Sequence, residues 1–129
     1  MSTKNNKHVL FLIVLFFFLF LGEASNYHVY VINIMKSNVT IHCKSKDDDL
    51  GVHVLSYGKP YEWSFNVNFW KTTLFFCGFI SQYGSGVYDI FRADRDLGRC
   101  RICLWEVRED GVHGFKDNAS NDDLWFKWQ

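Results

Sequence analysis

Apolar and polar residues alternate with a period of two along much of this chain. The pattern is clearest at Trp63-Ser64-Phe65-Asn66-Val67, where Trp63, Phe65 and Val67 share one face while Ser64 and Asn66 share the other. Val39-Thr40-Ile41-His42-Cys43 repeats it and puts Cys43 on the inner face. Cys103-Leu104-Trp105-Glu106-Val107 does the same for Cys103. Further β-rich runs cover His28 to Met35, Val52 to Tyr57, Thr72 to Ile80, Val87 to Arg92, Val112 to Phe115 and Leu124 to Trp128. Turn-forming clusters separate them, including Asp47-Asp48-Asp49, Gly58-Lys59-Pro60, Tyr83 to Gly86, Asp94 to Gly98 and Asn118 to Asp123. Asp110-Gly111 is the strongest hairpin signal, because glycine tolerates the positive φ of a tight turn. No amphipathic helical run of ten residues is present. The pattern predicts an all-β fold: a small, disulfide-stabilised antiparallel β-sandwich of eight or nine short strands.

The first residues follow another rule. Lys4, Lys7 and His8 precede an apolar run from Val9 to Leu21, and Gly22 and Ala24 supply small residues at positions −3 and −1 of a cleavage site. A run of 13 residues falls short of the roughly 20 needed to span a bilayer as a helix. The order predicts a signal peptide over residues 1–24, a mature domain over 25–129, no membrane insertion after cleavage, and an extracellular, apoplastic protein.

Cysteine usage agrees with that compartment. All four cysteines, Cys43, Cys77, Cys100 and Cys103, lie in the mature part, and an even number in a small secreted chain reads as a disulfide framework. Residues three apart on a strand face opposite ways, which disfavours a Cys100–Cys103 bridge. Two connectivities then remain, Cys43–Cys103 with Cys77–Cys100, which is preferred because Cys43 and Cys103 both face inward, or the swap. Asn38-Val39-Thr40 and Asn118-Ala119-Ser120 are glycosylation acceptors by pattern.

The 129 residues carry 14 basic and 14 acidic side chains. That balance leaves no electrostatic footprint for nucleic acid. Other chemistries also lack their signatures. Cys100-x-x-Cys103 runs into a strand, whereas a redox pair wants its first thiol at a helix N-terminus. Zinc needs four ligands at fixed spacing, and no second Cys-x-x-Cys exists. Asp47 to Asp49 and Asp94-x-Asp96 do not fit the EF-hand loop. There is no Gly-x-Ser-x-Gly elbow, phosphate loop or His-Glu-x-x-His helix, and His28, His42, His53 and His113 are scattered over different strands. The chain therefore reads as a binding protein, not an enzyme, with no cofactor and no metal.

The segments Val39 to Gly51 (VTIHCKSKDDDLG), Tyr61-Glu62-Trp63-Ser64-Phe65, Thr73 to Cys77, Val87 to Phe91 and Cys100-Arg101-Ile102-Cys103-Leu104-Trp105 resemble the plant self-incompatibility S-protein homologue family over essentially the whole mature chain. The resemblance implies a secreted, disulfide-bonded β-sandwich. Founding members, the poppy stigma proteins, are ligands of a pollen membrane receptor and trigger rejection of self pollen; most homologues have no assigned role. It also implies a turn role for Asp49 and Gly51 within the motif.

The expected function is that of an extracellular signalling ligand, monomeric, bound by a cell-surface protein receptor. Recognition is expected in polar loops, which vary without disturbing the core: Asp47, Asp48 and Asp49; Arg92, Arg95 and Arg99, with Arg101 nearby; and Asn121, Asp122 and Asp123. The alternative is a lectin-like binder of cell-wall glycans, for which Trp125 is the best exposed aromatic while Trp63 and Trp105 belong to the core. An inhibitor of secreted microbial enzymes would suit the same compartment.

Overall fold

The computed structural model describes residues 26–129 together with Val9, Leu12 and Ile13. The expected signal peptide lies outside the described residues apart from those three. Among the described residues, no helix is long and apolar enough to cross a membrane.

Nine strands form two sheets. They are β1 (Asn26–Asn33), β2 (Val39–Lys44), β3 (Asp49–Leu55), β4 (Pro60–Asn66), β5 (Leu74–Ser81), β6 (Gly84–Arg92), β7 (Ile102–Arg108), β8 (Gly111–Phe115) and β9 (Leu124–Phe126), with a four-residue helix, α1 (Ala93–Asp96), after β6. One sheet has the order β4-β1-β7-β8-β9 and the other β3-β2-β5-β6. The nine runs predicted from alternation and β-rich composition are all strands, with shifted ends. The all-β sandwich is therefore the observed fold.

One pairing departs from the expected antiparallel arrangement. β1 and β7 run parallel, His28 opposite Ile102 through Asn33 opposite Val107. A parallel pair needs a crossover, and here the chain supplies it by building the second sheet before returning as β7.

The core follows from the alternation. Val29 and Val31, Val39, Ile41 and Cys43, Cys77 and Phe79, and Trp105 and Val107 are buried between the sheets. β6 breaks the period because its register with β5 shifts: Phe75 faces Phe91, whereas Phe76 faces Asp89. The extra residue, Ile90, lets Ile90 and Phe91 both point inward, each fully buried. The carbonyl of Ile90 accepts hydrogen bonds from Trp105 Nε1 at 3.0 Å and Arg95 Nη2 at 3.3 Å. The bulge is thus tied to the opposite sheet.

The predicted Asp110-Gly111 hairpin is present, with Arg108 paired to Gly111. Gly111 has φ +134°, and a Cβ there would lie 2.1 Å from the Phe126 carbonyl oxygen. Glycine is required by both backbone angle and space.

The disulfides correct the sequence expectation. Cys43 is bridged to Cys77 and Cys100 to Cys103. Alternation correctly placed Cys43 and Cys103 on inner faces, but it reports a face and not a neighbour. Cys77 also faces inward and stands directly opposite Cys43 in the β2–β5 register. Cys100 lies outside the strand, since β7 begins at Ile102. The opposite-face argument assumed a strand through Cys100 and therefore does not hold.

Candidate functional site

Strand direction assigns every connection to one of two ends. At the near end, where β1 begins, lie the segments 45–48, 67–73, 93–101 and 116–123. At the far end lie 34–38, 56–59, 82–83 and 109–110. The near end is closed between the sheets by aromatic packing of Phe65 on Phe75 and Phe91, with Tyr27 on Phe91. The far end is closed by polar bonds. Asn33, fully buried, donates to the carbonyls of Leu55 and Ser37 and accepts from the Met35 backbone.

All three predicted recognition segments fall at the near end. Asp47 and Asp48 are exposed in the β2–β3 connection. Asp49 begins β3, where its carboxylate accepts from the Gly51 backbone N–H at 2.9 Å and pairs with His42 Nε2 at 2.7 Å. The Gly51 bond, then His42, holds the Asp49 carboxyl below the usual carboxylate range. Gly51 has φ +84°, and the Asp49-to-Gly51 bond is an Asx turn at the β2–β3 register shift. The motif's turn is therefore built into a strand.

The arginines are largely spent within the protein. Asp96 is fully buried, and its two oxygens accept from Arg95, from Arg99 Nη1 and from the Arg92 backbone. Arg99 also holds Asp123 through a two-bond guanidinium contact. That contact keeps the Asp123 carboxyl below its ordinary range. Arg92 pairs with Asp94 through Nε and Nη2, both at 3.1 Å, and lowers its carboxyl likewise. The Arg101 guanidinium lies 5.2 Å from the Tyr27 ring centroid. Arg95 and Arg99 thus fasten the β6–β7 connection, and Arg99 joins it to the β8–β9 connection. They support the near end from inside, whereas Asp47, Asp48, Arg92 and Asn121 present polar groups outside.

His113 is a further buried polar group, with Nε2 2.7 Å from Asp110 and Nδ1 3.1 Å from Asp122. It ties Asp122 down, so that predicted recognition residue also has an inward partner. Trp125 stacks on His113, carries Lys127 4.8 Å from its ring centroid and donates its indole N–H to the Asp110 carbonyl. Trp105 is buried and Trp63 is partly buried against the core, as predicted. The most exposed aromatics are instead Phe69 and Trp70, at 87% and 79%. Their signal in the sequence is the loss of alternation after Val67, which leaves two aromatics among turn residues. Among the described residues, no three metal-ligating side chains gather.

Asn38 and Asn118 are both exposed, at the far and near ends respectively. Asn118 has φ +58°, a conformation that asparagine tolerates better than most residues.

The family model for plant self-incompatibility protein S1 matches residues 28–128. The chain belongs to that family. Among curated relatives, it is 49% identical to S-protein homolog 6 of Arabidopsis thaliana over 89 residues, 68% of this chain and 65% of the relative. It is 46% identical to S-protein homolog 24 and 49% to S-protein homolog 27 of the same plant, each over 68% of this chain and 59% of the relative. The match thus spans about three fifths of those relatives' length. A solved structure described as "SPH (Self-Incompatibility Protein Homologue) proteins, a widespread family of small, highly stable, secreted proteins from plants" aligns with a TM-score of 0.62. It shares 18% identity and covers 81% of this chain and 96% of that one. Its likeness establishes the shared fold. In this chain the core is carried by the two sheets, the cysteine bridges and the β6 bulge, and the connections differ in how freely their side chains face solvent.

Proposed function

We propose that this chain is a secreted plant ligand that acts by binding a protein receptor on the cell surface, and not by catalysis. The observation that carries the reading is the gathering of all three polar segments, 47–49, 92–99 and 118–123, at one end of the sandwich. Buried ion pairs brace that end from within. A rigid frame with polar connections at one end suits recognition, because side chains there change without cost to the core. Secretion is supported by the apolar leader and by two disulfides, a pairing that persists in oxidising compartments. The exposed sequons Asn38 and Asn118 suit the same route, and we assign both as glycan acceptors.

The test is saturable binding of the oxidised, glycosylated protein to plant cells, before and after surface proteolysis and with soluble wall polysaccharide as competitor. A protein receptor predicts binding that protease abolishes and polysaccharide leaves unchanged. Protease-resistant binding displaced by polysaccharide would make the protein a wall-glycan binder and overturn the reading.

A further inference from the structure

We propose that Phe69 and Trp70 form an aromatic anchor that inserts into an apolar cleft of a protein partner, with a carboxylate at the rim of that cleft meeting Lys71. This rests on the receptor reading above and names the part of the near end that would do the gripping. Phe69 and Trp70 are the most exposed aromatics among the described residues and touch each other edge to face, with centroids 5.3 Å apart. Exposed apolar surface of this kind disfavours the free state and gains when covered. The two rings project from a turn that holds them in place. Asn68 Oδ1 accepts from Thr72 N at 2.8 Å and Asn68 Nδ2 donates to Thr72 Oγ1 at 2.9 Å. Asn68 N donates to Thr73 Oγ1 at 2.8 Å, and Lys71 N donates to the Asn68 carbonyl at 3.0 Å. Lys71 takes φ +58° to close it. Ordering is thus largely complete before a partner arrives, which lowers the entropic cost of binding.

The tryptophans differ in where their indole N–H groups go. Trp105, Trp125 and Trp128 donate to the carbonyls of Ile90, Asp110 and Glu109, and Trp63 Nε1 is buried without an acceptor, closed off from any partner. Among the described residues, Trp70 donates to no acceptor within the chain, so ring and donor both face outward. Tryptophan of this kind is a favoured hot-spot residue at protein interfaces. Beside the turn lies a shallow groove of about 380 Å³, lined by Lys71, Thr72, Leu74, Arg92, Ala93 and Asp94 among others. A projecting aromatic pair next to a notch with a paired Arg92–Asp94 rim is shaped for a partner that both receives and inserts.

Charge selects a protein over a lipid surface. An anionic membrane is bound through clustered, uncompensated cations, whereas the connections at this end carry acidic residues beside their cations: Asp47 and Asp48 beside Lys46, Asp94 and Asp96 beside Arg95 and Arg99, and Asp117, Asp122 and Asp123 beside Lys116. Its arginines Arg92, Arg95 and Arg99 are already paired with carboxylates. Lys71, next in sequence to the two rings, enters no ion pair among the described residues, and it is the cation placed to meet the partner's rim.

The experiment measures binding of the full secreted protein to plant protoplasts with and without prior surface proteolysis. Wild type is set against Phe69→Ala/Trp70→Ala and against Lys71→Glu, each with its melting temperature. In parallel, wild type is titrated with vesicles of phosphatidylcholine alone and mixed with phosphatidylserine. Loss of affinity by roughly 30-fold or more in the double variant, the scale of a lost hot spot, is expected at an unchanged melting temperature. Lys71→Glu should weaken binding while keeping both rings. Protease-sensitive binding that both variants retain would overturn the anchor and leave the receptor reading standing. Trp70-dependent binding to either vesicle would overturn it in favour of lipid. Wild type without protease-sensitive binding would overturn the receptor reading itself.

Discussion

Asp94 and Asp96 are two positions apart and do opposite work. Asp94 is exposed and pairs with Arg92, while Asp96 is buried under Arg95 and Arg99. In the sequence they form an acidic pair of the kind a cation could use. Nothing local distinguishes them, because only the tertiary path of α1 turns Asp96 under the β6–β7 connection. The arginine-rich stretch was legible as charge, but its bracing role was not, since burial and partners are properties of the folded chain. A buried carboxylate with four hydrogen bonds is costly to unpair. Asp96→Ala should therefore lower stability by about 3–5 kcal/mol, the cost of breaking a buried ion pair from one side. Urea unfolding reads this directly. An unchanged midpoint would mean that the cluster contributes nothing to the fold.

Strands, unlike partners, could be read from the sequence. Alternation and β-rich composition between turn clusters found all nine, because both are local properties of residue order, even where a strand such as β8 is buried on both faces. It could not show that β1 pairs with β7 in parallel, nor that Cys43 meets Cys77, because both facts depend on which strands become neighbours. Strand ends are equally non-local: residue order alone extends a strand back through Cys100, whereas β7 begins two residues later. The observed pairing makes the two bridges unequal. Cys43–Cys77 closes 34 residues and Cys100–Cys103 only three. On the chain-entropy account, the first contributes about 4 kcal/mol and the second about 1.5 kcal/mol. Cys43→Ser/Cys77→Ser should accordingly lower the melting temperature considerably more than Cys100→Ser/Cys103→Ser. A larger loss from the second pair would contradict the assigned connectivity.

For the molecule as a whole, the decisive feature is the unequal character of its two ends. The far end is short and tied by Asn33 and by Tyr83 donating to Glu109 at 3.3 Å. The near end carries the longer connections, the sequence-predicted polar loops and the Phe69–Trp70 turn. The polar loops were legible as composition, yet their shared location follows only from topology. The aromatic turn was the least legible part, since sequence counts tryptophans without showing which are covered. An account that puts recognition at the near end makes a comparison between ends its most direct test. Binding to plant protoplasts is measured for Asp47→Lys/Asp48→Lys/Asn121→Lys at the near end and for Lys36→Glu/Lys59→Glu at the far end, all exposed positions. The account predicts that the near-end variant loses protease-sensitive binding while the far-end variant binds as wild type. Loss confined to the far-end variant would contradict it.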